Sequence, residues 1–224
     1  MTGLTIDPRF NGPPESANGG YTCGLLADLV GGPTEVTLRR PPPLARPLEL
    51  ELEDGSVRLL DGGELVAEAA PAEVVVDPPE PVGAEEAERA AARYPGFREH
   101  AFPTCFVCGP ERREGDGLRI FAGPVPGRDV FAAPWVAPSG VAPPIVWAAL
   151  DCPGAIAVGF PDRGETLLGR LAGRIDRVPQ PGQQCIVLAW PLGEDGRKLY
   201  AGTALFSERG EPLAVARATW IIPR

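Results

Sequence analysis

Hydrophobic and polar positions along the chain fall into two similar passages. In the first, Ser16-Ala17-Asn18-Gly19-Gly20 opens an apolar stretch from Tyr21 to Val30. A β-rich run follows from Thr34 to Arg40, then a proline-rich break from Pro41 to Pro47, then the alternating Leu48-Glu49-Leu50-Glu51-Leu52. In the second, Ser139-Gly140-Val141-Ala142-Pro143-Pro144 opens another apolar stretch, Ile145 to Phe160. It too precedes a β-rich run, Thr166 to Val178, a break at Pro179 to Gly182, and a further run, Cys185 to Trp190. A repeat this long predicts two fused copies of one domain, with the functional site where the copies meet.

The first half is expected at 1–76, with strands at 34–40, 46–53, 56–60 and 64–76 after the helix. Asp54-Gly55 and Asp61-Gly62-Gly63 are hairpin turn signals between these runs. The intervals leave no room for crossover helices, so the sheet is expected to be antiparallel. Residues 77–116 read as a connector. Asp77-Pro78-Pro79-Glu80-Pro81 cannot continue a strand interior, and the Ala- and Glu-rich Ala84 to Arg93 predicts a short helix. The second half, 117–224, is expected to carry strands at Leu118 to Phe121, Val130 to Val136, 166–178, 184–192, 197–207 and 213–222. Gly193 to Gly196 and Glu208 to Glu211 are its hairpin turns. Both main helices are apolar nearly all round, the mark of burial. The fold class is therefore α+β: two central helices wrapped by antiparallel β-sheet. Pro153 lacks an N–H and clashes with the preceding turn, so the second helix should kink or end near Cys152. That either aims Asp151 into a cavity or makes the helix irregular.

Composition narrows the function classes. The 224 residues suffice for one large or two small domains. The net charge of -9 disfavours nonspecific nucleic-acid binding, which needs clustered cations. A few arginines can still dominate locally and hold an anionic ligand. Lys198 is the only lysine; with 28 Gly and 28 Pro, this reads as coding bias rather than mechanism. Five cysteines, an odd number, and an N-terminus without a leader pattern (Met1 to Asp7) predict reduced thiols and a cytoplasmic location. No apolar run approaches the roughly 20 residues of a membrane span, and no phosphate loop of the P-loop or dinucleotide kind appears. Cys105 and Cys108 form a Cys-x-x-Cys pair, half of a structural zinc site. The sole histidine, His100, lies near, but the sequence offers no second pair. Plain buried thiols are the expectation, and no metal is expected.

Three features resemble the hotdog-fold acyl-CoA thioesterases in a fused, double-hotdog arrangement. One is Cys105-Phe106-Val107-Cys108-Gly109 followed by Gly117-Leu118-Arg119-Ile120. Another is Trp147-Ala148-Ala149-Leu150-Asp151, similar to the central helix of the phenylacetyl-CoA-type branch. The last is the strand, proline-glycine break and strand after each helix. In that branch a His-Gly-Gly sequence opens the helix and an acidic residue follows about nine positions later. Here Asn18 stands where the histidine would, before Gly19 and Gly20, and Ala27 occupies the acidic position, with Asp28 one further on. In the second half Asp151 matches the acid, but Ala142-Pro143-Pro144 replaces the opening. Each half keeps what the other has lost.

The resemblance implies thioester hydrolysis at a single site shared by the halves. Asp151 would activate water or attack the carbonyl. Amides of Gly19 and Gly20 at a helix N-terminus would meet the developing oxyanion; prolines cannot. Tyr21, Trp147 and Phe160 are candidate walls of an acyl tunnel, though each also reads as a core aromatic. Arg39, Arg40, Arg119 and Arg177 are candidates for CoA phosphates, each also readable as a solvated strand-end charge. The partner is expected to be an acyl-CoA or similar thioester, with no cofactor beyond the CoA of the substrate, no nucleic acid, no membrane, and room for homo-oligomers of the fused pair. Other readings stay open: Asp151 as a structural carboxylate paired with Arg174 or Arg177, Gly19-Gly20 as a tight helix entry capped by Asn18, a noncatalytic acyl-thioester binder, or an interaction protein that lost its pocket. A hydratase would need Asp and His together, and His100 falls outside both helices.

Overall fold

The computed structural model describes residues 2–223. The first central helix, α1 (Gly19–Val30), starts where the Asn18 side chain accepts the Tyr21 N–H at 2.9 Å. That satisfies one of the orphan donors of a helix N-terminus. A short amphipathic helix, α2 (Ala84–Ala91), lies in the connector. The second apolar stretch is broken into α3 (Pro143–Ala149) and α4 (Cys152–Ala157). Pro153 explains the break: it has no N–H for the carbonyl four residues back, and its ring would strike that carbonyl. Asp151 sits in the break, with φ -84° and ψ -84°.

The strands are β1 (Thr2–Thr5), β2 (Thr34–Leu38), β3 (Pro47–Glu53), β4 (Ser56–Asp61), β5 (Glu64–Pro71), β6 (Gly123–Pro124), β7 (Phe131–Val136), β8 (Leu167–Ile175), β9 (Gln184–Asp195), β10 (Lys198–Ser207) and β11 (Pro212–Ile221). They form one antiparallel sheet in the order β1-β3-β4-β5-β2-β8-β11-β10-β9-β7-β6. Apart from the short β6, the order reads the same from either end: β8, β11, β10, β9 and β7 take the places of β2, β5, β4, β3 and β1. The repeat in sequence is thus a repeat in topology. Its two copies join where β2 pairs β8, with Thr34 opposite Gly173 and Thr37 opposite Arg170.

The sheet wraps both helices: α1 lies on β2, β4, β5 and β8, and α4 on β7, β9 and β10. In β3 the alternation predicted from sequence is visible, with Leu48 and Leu50 buried and Glu49 and Glu51 exposed. Strands β10 and β11 read instead as continuous apolar runs, because an apolar layer from the connector, with α2 lying on β6 and β7, covers the other face of the sheet. Ala87 and Ala90 of α2 pack there with Ile186, Leu188, Phe206 and Val215 in a smaller second core.

Several expected strand limits need correction: β8 ends at Ile175 rather than 178, and β9 runs on to Asp195 through the turn expected at Gly193, where it still pairs with β10. Strand β5 stops at Pro71 rather than running to residue 76. Leu118 to Phe121 is not a strand; the Leu118 and Ile120 N–H groups bond instead to the Phe106 and Val107 carbonyls of the connector. The chain also adds β1, which pairs with β3 and carried no sequence signal. Among the described residues, no helix is long and apolar enough to cross a membrane.

The helices α1 and α3 run antiparallel and touch through glycine. A Cβ on Gly20 would come within 2.8 Å of the Trp147 carbonyl oxygen, and one on Gly24 within 2.5 Å of the Pro144 Cα. Backbone cannot yield as a side-chain tip can, so added bulk there costs about 1–3 kcal/mol. Gly24→Ala is therefore expected to lower the urea midpoint without changing the slope. Gly140→Ala, where a Cβ meets open space, is the control; equal midpoints for the two would contradict this packing.

Candidate active site

The start of α1 and the α3–α4 break meet at the junction of the two halves. There the Asp151 Oδ2 accepts the Gly20 N–H at 2.9 Å and the Asn18 Nδ2 at 2.8 Å. Asn18 and Asp151 are each 2 % exposed. Asn18 thus does two jobs with one amide: its oxygen caps α1 and its nitrogen holds the acid. The other Asp151 oxygen, Oδ1, is buried with no hydrogen-bond partner among the described residues. Burial pushes the Asp151 carboxyl up to about 7; the Gly20 and Asn18 bonds oppose the rise and nearby Cys105 adds to it.

The first-turn donors of α1 can be counted one by one. The Tyr21 N–H goes to the Asn18 side chain and the Gly20 N–H to Asp151. Gly19, the first helical residue, has no intrahelical carbonyl to donate to. It lies between Leu38 at the end of β2 and Leu168 at the start of β8, on the wall of a cavity. The expected shared role of the two glycines is therefore corrected: Gly20 spends its amide on the carboxylate, and Gly19 alone keeps one to offer.

That cavity has a volume of about 680 Å³. It is bounded by the chain before α1, the end of β2, the connector, α4 and the start of β8, and the Asp151, Asn18 and Gly19 just described line it. Three buried side-chain atoms lack partners among the described residues: Asp151 Oδ1, Thr166 Oγ1 and Trp220 Nε1. All three residues line this cavity. Buried polar atoms are normally paired, so three orphans on one cavity mark it as a place for a polar ligand or water.

Of the expected tunnel walls, Phe160 lines the cavity, where its ring meets His100 edge-on at 5.2 Å. Tyr21 and Trp147 do not line it. Tyr21 stacks on Phe10 at 3.9 Å, next to Phe106. Trp147 is core, 3 % exposed, with its ring against Gly173 of β8. Arg39 and Arg40 stand at the cavity, paired with Glu68 and Glu64. Arg119 and Arg177 lie elsewhere, Arg177 on Glu211. Arg174 bonds to Asp176 and the Val74 carbonyl, so neither it nor Arg177 pairs with Asp151. In the mirror-related position Ala27 is buried and Asp28 is exposed.

Thr166, Trp220, His100 and Phe102 complete the wall without having been foreseen as site residues. Thr166 and Trp220 begin and end ordinary-looking strand runs, and a single sequence carries no mark of them. The connector also brings Cys105 and Cys108 to Cys152 of α4, with the three sulfurs within 4.8 Å of one another.

The sequence matches no family model and no curated protein. Solved structures do resemble the fold. A TesB protein from Mycobacterium avium subsp. paratuberculosis superposes with a TM-score of 0.64 at 14% identity, covering 99% of this chain and 92% of that one. Acyl-CoA thioesterase II from Mycobacterium marinum gives 0.61 at 11% identity, covering 98% and 91%. A hotdog-fold protein of unknown function from Alicyclobacillus acidocaldarius gives 0.59 at 10% identity, covering 99% and 92%. At such identities the likeness is one of fold: this chain has the hotdog fold, and nearly its whole length matches thioesterases of that fold.

The double role of Asn18 generates a test. As a mere N-cap it would accept aspartate, which caps as well as asparagine. Because it also donates to Asp151, Asn18→Asp sets a second carboxylate against the first and removes a donor. It is expected to cost about 1–3 kcal/mol, at least as much as Asn18→Ala, by urea unfolding at pH 8; a wild-type midpoint for Asn18→Asp contradicts the bond.

Proposed function

We propose that the protein is an acyl-CoA thioesterase-like hydrolase with one active site at the junction of its two hotdog halves. The observation that carries this reading is the pairing of Asp151 with the open end of α1 on the wall of the one cavity that holds the three orphaned polar atoms. The fold shared with thioesterases supports the reaction class in general.

In this reading the thioester carbonyl oxygen receives the Gly19 N–H. Asp151 takes a proton from a water whose oxygen attacks the carbonyl carbon. The resulting oxyanion is held by the amide and by the positive end of α1. Collapse breaks the C–S bond, and the thiolate leaves with the proton that Asp151 returns. Asn18 and Gly20 keep the carboxylate in place and leave Oδ1 free toward the reacting atoms. Phe160, Phe102 and Ile156 offer apolar wall to the acyl chain. Arg39 and Arg40, at the cavity, are the cations nearest to hand for CoA phosphates. The mirror site is silent, since α3 opens on Pro143 and Pro144, which donate nothing, and Ala27 replaces the acid.

Asp151 is almost wholly buried, and this favours a second reading as an acyl-thioester binder without turnover. A thiol-release assay over a panel of acyl-CoAs, run beside a binding measurement, decides between them. The expected outcome is turnover that Asp151→Asn lowers by at least about 10²-fold, while the exposed-site variant Asp28→Asn keeps the wild-type rate. Equal losses in both variants would refute the single site, and binding without thiol release selects the binder.

A further inference from the structure

The three sulfurs beside Asp151 form a cluster that the proposed hydrolysis does not use. Cys105 and Cys108 come from the connector and Cys152 from the first turn of α4, so the cluster joins parts of the chain far apart in sequence. The Cys105 and Cys152 sulfurs are 3.6 Å apart, and all three lie within 4.8 Å of one another. A disulfide needs about 2.05 Å, and all three cysteines are free. Thiolates at about 2.3 Å around a tetrahedral zinc stand about 3.8 Å apart, close to what is seen.

The surroundings supply hydrogen-bond donors. The Asn18 Nδ2 lies 3.8 Å from the Cys152 sulfur and 4.0 Å from that of Cys105. The His100 Nε2 is 3.3 Å from the Cys108 sulfur. His100 Nδ1 accepts the Phe102 N–H at 2.9 Å, so the ring proton sits on Nε2 and His100 donates to sulfur. Among the described residues, the polar contacts of these sulfurs are to N–H groups and to one another. Donors such as the Asn18 amide and the His100 ring suit thiolates rather than thiols, and buried thiolates need a cation. The turn that presents the pair is tight: a Cβ on Gly109 would meet the Cys105 and Pro103 backbone at 2.5 Å.

We propose that Cys105, Cys108 and Cys152 bind a zinc ion as three thiolates, with the fourth position reached from the cavity and His100 and Asn18 as donors to the sulfurs. Soft sulfur ligands select zinc over magnesium or calcium. The ion ties the connector to the start of α4 and so fixes the break that carries Asp151. This site stands apart from the thioesterase reading, because its readout is metal and not turnover.

The test uses the full chain, purified under reductant, loaded with zinc and passed over a desalting column, with metal counted by plasma mass spectrometry. About one zinc per chain is expected. Replacement by cobalt(II) should give a sulfur-to-cobalt charge-transfer band in the near ultraviolet and the strong visible bands of a tetrahedral site. Cys152→Ser, and separately Cys105→Ser with Cys108→Ser, should fall below about 0.1 equivalent, while Cys23→Ser and Cys185→Ser retain the metal. If a site variant fails to fold by circular dichroism, the wild-type cobalt spectrum decides alone. Retention of less than about 0.1 equivalent by the wild type, full retention by Cys152→Ser, or a cobalt spectrum without the sulfur band overturns the proposal.

Discussion

Two hydrogen bonds on one carboxylate oxygen tie the halves of this molecule together at its centre. Asp151 comes from the second half; Gly20 and Asn18, which hold it, come from the first. The bonds exist because α1 and the α3–α4 break approach within a glycine's reach, where any Cβ on Gly20 would sit 2.4 Å from that of Asp151. Close approach requires small residues in α1, the break requires Pro153, and the sheet seam at β2 and β8 sets the distance between the halves. Loosen any of these and the acid, the open amide of Gly19 and the cavity no longer share one place.

The topology is nearly symmetric and the chemistry is not. Strand order repeats across the seam, yet one helix opens on Asn18-Gly19-Gly20 and the other on Ala142-Pro143-Pro144. The break after α3 carries an acid facing α1, and α1 carries Ala27 at the corresponding place. Fusion allows this: once the copies share a chain, each is free to lose the element that the other supplies. The sulfur cluster is likewise assembled from separate parts of the chain, since the connector gives two thiols and α4 the third.

Much of this was legible in the residues, for physical reasons that can be named. Period-two alternation in β3 and the Asp54-Gly55 turn follow from local preferences, and so did the strands they bound. Pro153 announced the helix break; which way that break would turn Asp151 stayed open. The likeness to hotdog thioesterases, read from Cys105 to Gly109 with Gly117 to Ile120, the Trp147 to Asp151 run and the broken strand pairs after each helix, extends to the fold. What stayed hidden depends on contacts distant in sequence. Trp147 went to the core rather than the cavity because Gly24 leaves room for its Cβ and Gly173 for its ring. Gly20 lost its free amide because the acid lies 2.9 Å away. The connector read as a spacer, yet it forms a wall of the cavity, and its Cys-x-x-Cys pair found a third sulfur in Cys152 that no spacing could reveal.

The most direct measurement is a crystal structure of the protein with a non-hydrolysable acyl-CoA analogue. The account predicts the carbonyl oxygen about 2.7–3.1 Å from the Gly19 nitrogen, with its carbon beside the free oxygen of Asp151 and the acyl chain along Phe160. An analogue bound outside the cavity, or inside it with the carbonyl turned away from both Gly19 and Asp151, would contradict it.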